Sequence, residues 1–267
     1  MPSSSLLMRG PDEVGSTEIC GFSMNSFRLS IVGKNFGIQP TNYSQSSLVY
    51  NGEIYNYFDL ASRFKLSETA HKSDTVCLHE LINKISPDRT LSVLEGHFAF
   101  VWIDEESQRV VFARDSMGVK PLFFYYQADK LIISSDILTL SKEINPDVNQ
   151  DAAIEAIVFG GHTGERTFYS SINSALPGVL YQYDIGRNKF NNYQVPLPIE
   201  PNPTDEELFF LLSDSVFQQA KTEVPTACLV SSGIDSNIIK RLIPKTKPIN
   251  YVCAVSDDFA FHKDDVN

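Results

Sequence analysis

Two apolar runs, Phe98-Ala-Phe-Val-Trp-Ile103 and Arg109-Val-Val-Phe-Ala113, stand either side of the polar stretch Asp104-Glu-Glu-Ser-Gln108. Runs of this length bounded by turn residues read as strands, and the pair reads as a hairpin. Neither alternates apolar with polar, so both faces of the sheet they form need cover. A one-sided sheet is excluded, and a layered α/β arrangement is expected. Further β-rich runs, at 27–32, 47–51, 121–126 and 130–134, make residues 20 to 134 mostly strand.

Cys77, Leu78, Leu81, Ile82 and Ile85 recur on a single face, which predicts a helix over 74–86. A second helix is predicted over 151–159, opening after Asn149. Farther on, Pro196, Pro198, Pro201 and Pro203 remove backbone donors and fix φ, so 194–204 reads as an extended linker between domains 1–193 and 205–267. Thr204 with Glu207 forms a capping box ahead of the apolar run Leu208 to Leu212. A strand at 226–230, a glycine turn, a helix at 235–242 and a strand at 249–255 then make one βαβ unit. A single such unit cannot bury its own faces, so the second domain reads as the start of a larger one.

The net charge of −11 argues against a nucleic-acid partner, which needs clustered Lys and Arg. Cys20, Cys77, Cys228 and Cys253 form no CxxC pair, and the five histidines show no ligand spacing, so no metal site is expected. No apolar run approaches the ~20 residues of a membrane span. The opening MPSSSLLMRGPDE has too short an apolar stretch for a secretory signal, so a cytoplasmic location is expected.

Ser231-Ser-Gly-Ile-Asp-Ser236 joins an apolar strand to a helix. Such a loop gathers backbone N–H groups and the positive end of a helix dipole, which suits a phosphate; read alone it is also an ordinary serine-rich N-cap. CLVSSGIDSNII is similar to the SGGxDS loop of the ATP-pyrophosphatase family, with Ser232 where that family has its first glycine. Upstream, six segments occur in the order found in the class II glutamine amidotransferase domain of asparagine synthetases. They are Arg9-Gly-Pro-Asp12, Phe27-Arg-Leu-Ser-Ile-Val32 with Gln39-Pro40, Asn51-Gly-Glu-Ile-Tyr-Asn56, Ser73-Asp74, Leu94-Glu-Gly-His-Phe-Ala-Phe100 and Ala113-Arg-Asp-Ser-Met-Gly-Val-Lys-Pro-Leu122. Phe168-Tyr-Ser-Ser-Ile172 and Leu176-Pro-Gly-Val-Leu180 resemble the connection to the synthetase half, so the likeness covers almost the whole chain.

This resemblance implies a four-layer αββα glutaminase domain of the N-terminal-nucleophile type, followed by the first βαβ unit of a doubly wound parallel ATP-pyrophosphatase domain. It implies that Arg28 binds the glutamine carboxylate, Asp74 takes the ammonium, and Asn51 with Gly52 forms the oxyanion hole. Leu29, Ser30, Ile31, Val32 and Glu53 complete the glutamine site. Val230, Ser231, Ser232, Gly233, Asp235, Ser236 and Val255 would hold ATP as its magnesium complex. Glutamine, aspartate and ATP are the implied small-molecule partners, with a homodimer as one assembly. Taken singly, Arg28 reads as a surface ion-pair residue, Asn51-Gly52 as a type I′ hairpin turn, and Arg114-Asp115 as a turn-stabilising ion pair. His97 and His162 show no catalytic partner.

The family's nucleophile is an N-terminal cysteine whose own α-amine is the base. Cys20 follows the Arg9-Gly-Pro-Asp12 motif and has its nitrogen in a peptide bond, so it is not expected to take that part. The expectation is a fragment of a glutamine-hydrolysing asparagine synthetase. The alternatives are another amide-forming ligase on this scaffold, such as a β-lactam synthetase or lasso-peptide cyclase, and a non-catalytic protein that binds glutamine.

Overall fold

The computed structural model describes residues 4–196, 202–245 and 248–253. It holds two compact units, Met1–Pro198 and Ile199–Asn267, divided inside the proline-rich stretch.

The first unit opens with α1 (Ser4–Arg9) and an antiparallel hairpin of β1 (Glu13–Ile19) and β2 (Phe22–Arg28). β3 (Thr41–Tyr43), β4 (Ser46–Ile54), α2 (Tyr57–Arg63), α3 (Asp74–Ile85) and α4 (Pro87–Leu91) follow. Next come β5 (Gly96–Asp104), β6 (Arg109–Arg114), β7 (Phe123–Gln127), β8 (Lys130–Ser134), α5 (Ile137–Ile144) and α6 (Gln150–Phe159). β9 (Asn173–Ser174), β10 (Val179–Asp184) and β11 (Lys189–Gln194) complete the unit. The main sheet has six strands in the order β11-β10-β6-β5-β4-β3, and a smaller one runs β8-β7-β9.

The two-residue period of the strands sorts the six-stranded sheet into two cores. Leu48, Tyr50, Ile54, Phe98, Phe100, Trp102, Val111 and Ala113 pack under α2, α3 and α4, which contribute Leu60, Leu78, Leu81, Ile82 and Leu91. Their neighbours in the chain, Ala99, Ile103, Val110 and Phe112, look the other way with Tyr181 and Tyr183, onto Phe124 and Leu131 of the smaller sheet and Met24 of the hairpin. Phe123, Tyr125 and Ile132 point out of the smaller sheet on its far side, where α5 lies and Leu140 is buried. The layers therefore run helix, sheet, sheet, helix. Apolar burial on both faces of β5 and β6 is what their unbroken hydrophobic runs dictate.

Local signals place most of the helices. The Ser73 hydroxyl accepts the Val76 N–H and caps α3; Asn149 accepts the Ala152 N–H and starts α6. Two readings of the sequence are corrected. The segment 27–32 is not one strand, because β2 ends at Arg28, whose guanidinium bonds the Val32 and Gly33 carbonyls and curls the chain back. The Asp12 carboxylate holds that bend from the other side by accepting the Ser30 N–H at 2.8 Å. Asn51-Gly52 is not a turn either, since β4 runs straight through both residues, paired with Ala99 and Phe98.

In the second unit the Thr204–Glu207 capping box opens α7 (Asp205–Gln219). β12 (Thr226–Leu229) and β13 (Ile249–Val252) pair in parallel around α8 (Ile234–Leu242). The strand expected at 226–230 stops one residue earlier, although Val230 still donates its N–H to Val252. Leu208, Phe209, Phe210 and Leu211 of α7 are exposed, as expected for one βαβ unit that cannot cover its own faces.

Candidate functional site

Three of the expected site residues, Asn51, Gly52 and Glu53, are successive in β4. Tyr50 and Ile54 belong to the helix-side core, so alternation sends Asn51 and Glu53 to the inter-sheet face. The Asn51 side-chain nitrogen is buried there with no hydrogen-bond partner among the described residues. Leaving a buried amide donor unpaired costs about 1–3 kcal/mol, which an acceptor placed beside it would recover.

Gly52 supplies the second donor. Across β5, Phe98 turns its backbone to Asp115, donating its N–H to Oδ2 at 3.2 Å and accepting the Asp115 N–H at 2.8 Å. Gly52 is paired with Phe98 and so faces its own N–H away from β5. Two residues earlier the Tyr50 N–H reaches Gln39 Oε1 at 2.7 Å, and two residues later the Ile54 N–H reaches Asp74 Oδ2 at 3.3 Å. The Gly52 N–H lies between these on the same edge of the strand. Only glycine serves: φ is +143°, and a Cβ would lie on the His97 carbonyl oxygen and 2.7 Å from Phe98 Cα.

Asp74, the first residue of α3, is buried behind β4. Its carboxylate accepts the Tyr50 hydroxyl at 2.9 Å, the Ile54 N–H, and the Thr75 N–H at 2.7 Å. Burial raises its pKa, and these donors offset only part of the rise. The Tyr50 phenol is pushed well above its ordinary value by burial and then by Asp74. On the inter-sheet side, His97 pairs across the strands with Glu53, and its Nδ1 lies 3.1 Å from the Tyr55 hydroxyl. Burial pushes Tyr55 up to about 12, with Glu53 and Asp115 adding to the effect.

Arg28 stands at the end of β2. Its Nη2 donates to Val32 at 3.2 Å and Gly33 at 2.9 Å, and its Nη1 pairs with Glu13 Oε2 at 2.8 Å. Gly33 in turn abuts Lys72 and Ser73, one residue before Asp74. Of the expected site residues, Asn51, Gly52 and Glu53 thus lie together on β4 with Asp74 bonded to that strand, while Arg28 and Val32 reach Asp74's neighbour Ser73 through Gly33. Leu29 is exposed, while Ser30 and Ile31 serve the bend.

Asp115 organises its turn by a means the sequence did not reveal. Its carboxylate takes the N–H groups of Phe98, Met117, Val119 and Lys120, while Arg114 bonds the Lys120 carbonyl, so the turn rests on backbone bonds to a carboxylate. Glu13, Gln39 and Tyr50 were also missed as neighbours of the site. Their places depend on strand register, which local pattern does not disclose. Cys20 sits in the β1–β2 turn beside Gln108, and burial followed by Glu105 raises its pKa, the reverse of what an attacking thiol needs.

The serine loop of the second unit is tied to itself. Ser231 Oγ and Ser236 Oγ are 3.1 Å apart, the Gly233 N–H donates to Ser231 Oγ at 3.2 Å, and Ser236 Oγ donates to the Ser231 carbonyl at 3.0 Å. Ser232 and Asp235 are exposed, and Ser232 is not among the residues with positive φ. Val230 follows the end of β12 and leads into the loop, and Val255 lies outside the described residues.

The family model described as "Glutamine amidotransferase domain" matches residues 2–194. Glutamine-hydrolyzing asparagine synthetase of Mus musculus is 26% identical over 261 residues, covering 86% of this chain and 43% of the relative. The Homo sapiens protein is 26% identical over 251 residues, covering 89% and 44%. The chain therefore spans less than half the length of these relatives. Among solved structures, glutamine phosphoribosylpyrophosphate amidotransferase from B. subtilis is 18% identical with a TM-score of 0.42, covering 81% of this chain and 48% of that one. The match to the family model takes in nearly all of the first unit, including Arg28, the Asn51-Gly52 pair and Asp74, and on that ground this chain belongs to the glutamine amidotransferase domain family.

Proposed function

We propose that the first unit binds glutamine and holds its side-chain amide for hydrolysis. The observation that carries this reading is the Asn51 amide nitrogen, buried and without a partner, next to the outward-facing Gly52 N–H. A carbonyl oxygen placed between them is polarised as it becomes tetrahedral, and donors fixed in advance cost nothing to reorganise. Arg28 neutralises the α-carboxylate at one end. Glu53 from the inter-sheet side and Asp74 from behind β4 supply negative charge for the α-ammonium.

The second unit is read as the start of an ATP site. The first turn of α8 offers N–H groups and the positive end of its dipole to a pyrophosphate, and the exposed Asp235 carboxylate suits the accompanying magnesium. In the whole protein the ammonia released from glutamine would displace AMP from an activated aspartate side chain to give asparagine. The low but extended identity to asparagine synthetases supports this choice over other amide-forming ligases.

Calorimetric titration of the chain with L-glutamine tests the first part. Saturable binding is expected, weakened about three- to tenfold by Asn51→Ala, the value of one neutral hydrogen bond. Absence of any glutamine binding would overturn the reading.

A further inference from the structure

Arg28 has no idle fork to offer a second carboxylate. Nη2 carries two N–H groups, and they are engaged by the Val32 carbonyl at 3.2 Å and the Gly33 carbonyl at 2.9 Å. Both ordinary bidentate approaches to a guanidinium use Nη2, either with Nη1 or with Nε. A carboxylate arriving at Arg28 without unmaking the 28–33 bend is therefore left single N–H groups of Nε or Nη1 and no fork. One N–H of Nη1 is already given, at 2.8 Å, to Glu13 Oε2, whose charge offsets that of the guanidinium.

The two partners of this pair are held very differently. The Arg28 side chain is 7% exposed and fixed by three bonds, whereas the Glu13 side chain is 36% exposed. No other hydrogen bond to the Glu13 carboxylate is present among the described residues, so it can swing to water at small cost. The residues are cross-strand neighbours, Glu13 at the start of β1 and Arg28 at the end of β2. Glu13 thus reaches Nη1 from the outer end of the hairpin without any movement of the backbone.

We infer that Glu13 is a built-in competitor for the substrate's α-carboxylate: it neutralises Arg28 through Nη1, and glutamine takes up that charge in its place. The inference rests on the reading of Arg28 as the carboxylate contact of a glutamine site. While Glu13 is in place, Arg28 is neutralised and the site is closed to weakly held carboxylates. A ligand that also satisfies Asn51, Gly52 and the acidic residues gains enough to open it, so the exchange sharpens selection for an amide-bearing amino acid. Removing the Glu13 charge should accordingly strengthen glutamine binding and leave a ligand without the α-carboxylate unaffected.

The test is calorimetric titration of the full chain and its Glu13→Gln variant with L-glutamine and with L-glutaminamide, whose α-carboxylate is a neutral amide. Glu13→Gln is expected to bind glutamine about tenfold more tightly, equivalent to ~1.4 kcal/mol, with glutaminamide affinity unchanged within about twofold. Glu13→Asp, which keeps the charge on a side chain one methylene shorter, is a second variant expected to shift affinity in the same direction. Unchanged or weaker glutamine binding by both variants, with the wild type binding normally, overturns the inference and makes Glu13 a support for Arg28. An equal gain for glutaminamide overturns it as well, because the competition would then not be for the carboxylate. If neither wild type nor variants bind glutamine, the glutamine-site reading itself fails, and the inference with it.

Discussion

His79 sits on α3 with 2% of its surface exposed, and both ring nitrogens are used. Nδ1 lies 2.7 Å from Thr41 Oγ1 and Nε2 lies 2.9 Å from Ser46 Oγ. With the Ser46 proton given to the Tyr43 carbonyl or to Asn83 Oδ1, Nε2 carries the hydrogen and Nδ1 accepts from Thr41, the tautomer that satisfies every partner. A second ring proton would force the Thr41 hydroxyl to turn round and would put a charge in the core. Burial accordingly lowers the His79 pKa from 6.5 to about 4. The unfolded chain then binds this proton more readily than the folded one. The stability it confers is complete above pH 6.5 and is lost progressively as pH falls towards 4, by about 1.4 kcal/mol per pH unit and about 3 kcal/mol in all. Urea unfolding of the wild type and His79→Gln between pH 4 and 7.5 measures it, since Gln cannot titrate and other groups, Asp74 included, cancel in the difference. The variant should be less stable at pH 7 and should close most of that gap by pH 4. A gap that stays constant with pH would refute the reasoning.

Three further outcomes are expected from single substitutions. Gly52→Ala drives a Cβ into the His97 carbonyl at a φ that L-residues avoid, and should cost about 3–5 kcal/mol in urea unfolding. Asp115→Ala removes the buried carboxylate that accepts four backbone N–H groups, three of them in its turn, and should cost about 3–5 kcal/mol by the same assay. Thr204→Ala removes half of the capping box of α7; a loss of about 1 kcal/mol should speed hydrogen exchange of its amides roughly fivefold, with the first unit unaffected.

The layered core was legible because its signal is local. β5 and β6 are apolar on successive residues, α3 announces itself through its apolar face, and α6 and α7 through Asn149 and Thr204. β1 was not legible: Glu13-Val-Gly-Ser-Thr-Glu-Ile19 shows a half-buried, half-exposed pattern and lies wholly outside the strand-rich region the sequence suggested. The site divides along the same line. Arg28, Asn51, Gly52 and Asp74 were named from motif likeness. What each touches follows from the β4–β5 register and the β1–β2 hairpin, which no short window contains. The bend at 29–33 was read as strand because Leu29, Ile31 and Val32 are good strand formers, yet the carbonyls captured by Arg28 outweigh that preference.

The central claim is that the orphaned Asn51 amide exists to hold a glutamine carbonyl. Following the Asn51 side-chain NH2 signals by 15N–1H NMR during a glutamine titration tests it at the atom concerned. One of the two protons should move downfield and exchange more slowly with water as glutamine saturates the chain, in step with the calorimetric curve. Saturation with glutamine while both Asn51 signals stay in place would contradict the account.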